Sequence, residues 1–163
     1  MRRRYWVLLV VCFGVLLLDQ WSKHVVQERL PLYQAVRVIP GLFNLVHVRN
    51  TGGAFGIFGG EKGGLGSYLF VAVSIIAIGS ILFLFVKTRE DEKTLSLSFS
   101  LVLSGAIGNL IDRLWYGEVV DFLDFYLLSY HWPAFNVADS AICFGIGLIA
   151  LELLVRDRKK SNR

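Results

Sequence analysis

Apolar residues along this chain come in long unbroken runs, separated by short polar stretches, and they do not alternate with polar ones. The first run covers residues 5–18, behind Arg2, Arg3 and Arg4, and no small-x-small cleavage site follows it. Asp19, Gln20, Trp21, Ser22 and Lys23 come next, which predicts an uncleaved first span over about 5–26 with its helix continuing through that polar turn. Residues 68–86 supply 19 positions without a charge, enough to cross a hydrocarbon core of about 30 Å. The remaining runs, with their polar ends, predict spans over about 95–113 and 136–155.

Between the first two spans the pattern breaks down. Pro31, Pro40 and eight glycines between Gly41 and Gly64 are too irregular for a membrane helix. Within that stretch, residues 35–39 and 42–48 are rich in β-branched and aromatic side chains and bounded by turn residues, so they predict a small antiparallel sheet. The expected fold is an all-α membrane protein: four transmembrane helices, a small extracytoplasmic β-sheet and an outer aromatic loop, in one polytopic domain over 1–163.

Composition agrees with the membrane reading. At 55% hydrophobic and a mean hydropathy of +0.56, the chain is too apolar for a soluble domain of its length. The net charge of +4 goes with two basic clusters, Arg2, Arg3 and Arg4 and the tail Arg156, Arg158, Lys159, Lys160 and Arg163, that are confined to the termini, which suits orientation signals and not a nucleic-acid groove. Lys87, Arg89 and Lys93 share their side under the positive-inside rule, so both termini are expected inside and the loops 27–67 and 115–134 outside. The outer stretch 115–135 holds Trp115, Tyr116, Phe122, Phe125, Tyr126, Tyr130, Trp132 and Phe135, a density suited to the headgroup zone. Cys12 and Cys143 sit in apolar segments with no ligand spacing and read as free thiols.

The candidate chemistry gathers between Ser104 and Ser140. Ionisable groups at the edge of hydrocarbon are costly, which makes them functional candidates. Asp121 and Asp139 are both expected at the outer membrane boundary, with few cations near them in sequence. Facing each other at about 4 Å, with an effective dielectric near 20, two carboxylates would repel by about 4 kcal/mol, roughly three pKa units. One would then stay protonated, giving the acid and base of an aspartic protease. Two unrelated caps are the competing reading, since Asn136 stands three residues before Asp139. Asn109, Asp112 and Arg113 share one face of the third span as orienting groups, or as a plain Asp112–Arg113 ion pair. Asp19 and Lys23, four apart, form either an interfacial ion pair or an electrostatic support for the site. His24, His47 and His131 are isolated, so no metal site is expected, and no serine motif accompanies Ser22 or Ser104.

Five motifs, the D-x-x-x-K of Asp19 and Lys23, NTGGAF from Asn50, SGAIGNLIDR from Ser104, VVDF around Asp121 and FNVADS around Asp139, together resemble the lipoprotein signal peptidases (signal peptidase II). The resemblance implies a membrane aspartic endopeptidase of the bacterial cytoplasmic (inner) membrane. It would remove the signal peptide of diacylglyceryl-modified prolipoproteins before the lipidated cysteine. Asp121 and Asp139 would be catalytic, supported by Asp19, Lys23, Asn50, Gly105, Asn109, Arg113, Asn136 and Ala138. It further implies no cofactor, no metal and no nucleic acid, a monomer among membrane lipids, and inhibition by the cyclic peptide globomycin. Gly53 and Ser104 depart from the family's usual alanine and glycine, both small-for-small changes, and Asp124 reads as a surface or interfacial acid. A small membrane ion or proton carrier is the alternative, though a relay would spread its acids through the membrane's depth, and here they gather at one face.

Overall fold

The computed structural model describes residues 2–52 and 65–161. In chain order the elements are helix α1 (Arg3–Arg29), strands β1 (Ala35–Ile39) and β2 (Phe43–Asn50), helices α2 (Leu65–Lys87) and α3 (Lys93–Tyr116), strands β3 (Val119–Leu127) and β4 (Tyr130–His131), and helix α4 (Val137–Ser161). All four helices are long and apolar enough to cross a membrane. They run beyond the apolar stretches because a polar side chain ends contact with hydrocarbon without ending the backbone ladder, as at Asp19 and Lys23 inside α1.

Helix α3 is the central element, packed against α1, α2 and α4. Its sequence explains that position. Ser96, Ser98, Ser100 and Ser104 are buried on it, and the hydroxyls of Ser98, Ser100 and Ser104 bond carbonyls four residues back, so they are satisfied without outside partners. Gly105 lies so close to α4 that a Cβ there would collide with the Ala138 carbonyl and stand 2.7 Å from Ile142 Cγ1. Far from the sheet, Arg4 donates to the Thr88 carbonyl just past α2, and Arg156 of α4 pairs with Glu92 at 2.7 Å. Arg4, read from sequence only as an orientation signal, is therefore also a buried tie between helices.

The strands form one antiparallel sheet in the order β1-β2-β3-β4. Residues 35–39 and 42–48 do supply two of them, as their composition predicts. The stretch 115–135, expected as one aromatic loop, is instead the end of α3, two strands and short connections. Gly117 ends α3 in the left-handed region (φ 73°) and turns the chain, and β3 then pairs with β2, setting Val48 opposite Asp121 and Asn50 opposite Val119. Its β-branched and aromatic residues bury Val120 and Phe122, and Phe122 joins Val26 and Leu30 of the α1 end in a small core. Asp124 is likewise no surface acid. It is buried and accepts from Asn44 at 2.8 Å and faces His131 at 2.9 Å, because its strand neighbours close over it.

Candidate active site

The ends of α1, α3 and α4 meet beside the sheet. Helix α4 starts there with a reciprocal cap: Asn136 Oδ1 accepts from Asp139 N at 2.9 Å, and Asp139 Oδ2 accepts from Asn136 N at 3.2 Å. Capping and a place in the site are thus not alternatives for Asp139, since its other oxygen accepts from Asn109 Nδ2 of α3 at 2.8 Å.

Asp121 arrives on β3. Its carboxylate accepts from Asn136 Nδ2 at 2.8 Å and from Asn50 Nδ2 of β2 at 3.1 Å. Asn136, fully buried, therefore bonds both aspartates with one side chain. Burial, and then the charge of Asp139, push the Asp121 carboxyl up to about 7. Asn109 Oδ1 in turn accepts from Lys23 Nζ at 3.1 Å and from Asn136 Nδ2 at 3.2 Å.

Below the two aspartates lies a buried charged layer. Lys23, 1% exposed, is 2.8 Å from Asp19 and 3.0 Å from Asp112. Asp19 Oδ1 accepts from Ala138 N at 2.8 Å, and Asp112 Oδ2 accepts from Val120 N at 3.1 Å. The ion pair considered between Asp112 and Arg113 does not form. Consecutive residues on a helix point about 100° apart, so Asp112 faces Lys23, while Arg113 donates to the Gly52 carbonyl at 3.3 Å and stacks 5.7 Å from the Phe70 ring centre.

All ten residues singled out in the sequence stand in this one assembly: Asp19, Lys23, Asn50, Gly105, Asn109, Arg113, Asp121, Asn136, Ala138 and Asp139. Gly53, Ala54 and Phe55 of the NTGGAF motif lie outside the described residues. Gln20 was missed. Its amide bonds Asp19, Asp112 and the Gly108 carbonyl, and its place beside Asp19 at the first span's polar end was the available signal. A cavity of about 240 Å³ opens beside Asp121, lined by Val48, Arg49, Asn50, Thr51, Asp121, Pro133 and Ala134. Two buried carboxyl groups, one held by the Asn136 side chain and the other by the Asn136 backbone N–H and by Asn109, with the Asp121 carboxyl pushed up to about 7, can supply one base and one acid to a bond held in that cavity.

Residues 11–155 match the family described as signal peptidase (SPase) II. Lipoprotein signal peptidases of Geobacter metallireducens and Desulforapulum autotrophicum are 44% and 48% identical to the chain, over 99% and 81% of it and 99% and 82% of their own lengths. A solved bacterial membrane enzyme superposes with a TM-score of 0.84 at 32% identity, covering 96% of this chain and 90% of that one.

Proposed function

The chain belongs to the signal peptidase II family, and we propose that it works as an aspartic endopeptidase with Asp121 and Asp139 as its reacting pair. The carrying observation is the Asn136 side chain, which bonds both residues and keeps two buried acids within one site. In the ionised member a carboxylate takes a proton from water, and the resulting hydroxide attacks the scissile carbonyl carbon. The protonated member gives its proton to the carbonyl oxygen as the tetrahedral diol forms. Collapse of the diol breaks the carbon–nitrogen bond: the amine leaves with the proton first taken from water, and one diol hydroxyl returns its proton to the aspartate that had given one, leaving a carboxylic acid and the pair as it began. The Asn50, Asn109 and Asn136 amides keep both carboxyl groups oriented throughout.

The substrate is a prolipoprotein carrying a diacylglyceryl cysteine, cut on the amino side of that residue. Exposed Leu128, Tyr130 and Trp132, at the β3–β4 end of the sheet, suit the outer interface of the bacterial cytoplasmic membrane, where a lipid-anchored chain would arrive sideways. The cyclic peptide globomycin would compete in the cavity beside Asp121, and the chain works as a monomer. Cleavage of a purified diacylglyceryl prolipoprotein by the detergent-solubilised chain, with a chelator present, tests the reading. Asp121→Asn and Asp139→Asn should each lose about 10²- to 10⁴-fold in rate while still accumulating. Full activity in either variant would exclude the aspartic mechanism.

A further inference from the structure

Each proposed catalytic aspartate follows a residue whose backbone N–H is held by a second, deeper aspartate. Ala138 N, just before Asp139, donates to Asp19 at 2.8 Å, and Val120 N, just before Asp121, donates to Asp112 at 3.1 Å. One of these deeper acids comes from α1 and the other from α3, and two groups join them. Lys23 lies within 3.0 Å of both carboxylates. Gln20 Nε2 is 3.0 Å from Asp19 Oδ2 and 3.0 Å from Asp112 Oδ1. An amide nitrogen carries two hydrogens, one for each carboxylate. Both acids are almost wholly buried, so every lone pair left without a donor there is costly.

We infer that Gln20 is a positioning residue: by tying Asp19 to Asp112 it fixes the segments carrying Asp139 and Asp121 relative to one another. The inference rests on the aspartic reading above. Lysine alone could neutralise the two deeper carboxylates, but as a point charge on a flexible stem it leaves their separation free to vary. The Gln20 amide spans them with both hydrogens used, and the same nitrogen lies 3.3 Å from the Gly108 carbonyl, the longest of its three contacts, close against α3. Gly108 leaves room for this, since a Cβ there would stand 2.8 Å from Asp19 Oδ2.

The charged groups around this link are Asp19 and Lys23 of α1, Asp112 and Arg113 of α3, Asp121 of β3 and Asp139 of α4. Gln20→Leu removes the link without changing charge, and should lower kcat by about 10- to 100-fold with KM nearly unchanged, the scale expected when reacting groups are displaced by about 1 Å. Gln20→Glu puts a third carboxylate between the two acids. It should be more damaging than leucine at about pH 8, and its rate relative to the native chain should climb by up to about tenfold per pH unit on acidification, as the new acid regains a proton to donate. Asp112→Asn removes one negative charge and should move the acid limb of the rate profile to lower pH, the opposite direction.

The experiment follows diacylglyceryl prolipoprotein cleavage by the full chain in detergent across pH, with all three variants beside Asp121→Asn and Asp139→Asn. A Gln20→Glu rate that falls with the leucine variant at every pH, or a loss carried by KM alone, would overturn the positioning role. So would native kcat in Gln20→Leu. Should those two variants fail to fold, Gln20→Asn, whose amide is one methylene shorter and cannot hold both carboxylates, should still lose kcat with KM nearly unchanged, and native kcat there overturns the role instead. Activity surviving in Asp121→Asn or Asp139→Asn would remove the aspartic reading itself, whereas inactive dyad variants beside native-like Gln20 variants would remove only the link.

Discussion

Asn136 donates to Asp121 at 2.8 Å from the residue that caps α4, so the first turn of a helix and the middle of a strand share one buried side chain. The same side chain bonds Asn109 and the Val120 carbonyl. Replacing it by alanine removes a cap worth about 1 kcal/mol and a donor from a buried acid. Asn136→Ala should therefore cut cleavage by about 100-fold, with only a small drop in unfolding temperature. A large loss of stability with full specific activity would show that Asn136 serves the helix and not the dyad.

Asn109 bonds Asp139, Lys23 and Asn136 together. Asn109→Ala should reduce kcat, though less than loss of either aspartate, because both carboxyl groups remain. Untouched activity with normal expression would mark this amide as incidental to the reaction.

The Asp121 carboxyl titrates at about 7 in the folded chain, against 3.8 for an ordinary aspartate. Between those values the folded chain holds a proton that the unfolded chain has released. The stabilisation from this group is therefore complete below about pH 3.8 and lost as the pH rises through about 7. Asp121→Asn abolishes that ionisation, so its stability relative to the native chain should improve as pH rises, by at most about 4 kcal/mol. Thermal unfolding in detergent at several pH values measures this gap, and a gap that stays constant would contradict the raised carboxyl.

Gly105 faces α4 at the turn that carries Ala138 and Asp139. Gly105→Ala should force α3 and α4 apart at a cost of about 1–3 kcal/mol, with cleavage falling further than stability because Asp139 moves with α4. A native melting temperature and native rate would show that the helices have slack there.

Labelling tests the orientation. Leu128→Cys, on an exposed turn beside β4, should react with an impermeant maleimide in intact spheroplasts, while Arg89→Cys, between α2 and α3, should react only after lysis. The reverse pattern would put the site on the cytoplasmic side.

The sequence by itself determined the four spans and two of the strands, because span length, an uncharged run and β-branched composition are local properties that the chain carries wherever it packs. It also marked the polar residues of the site, since an aspartate or lysine beside hydrocarbon stands out without any partner in view. Tertiary structure alone decided how they pair. Asp19 holds a backbone N–H 119 positions away, Asp112 turns to Lys23 and away from adjacent Arg113, and Gln20 closes the gap between two helices. The stretch around Asp121 became a strand because β2, some 70 residues earlier in the chain, offers it an edge, and Asp124 was buried by that same pairing. Hydropathy reports what each segment contacts on average, whereas these bonds depend on how closely Gly105 and Gly108 let the helices approach, a distance that no local pattern encodes.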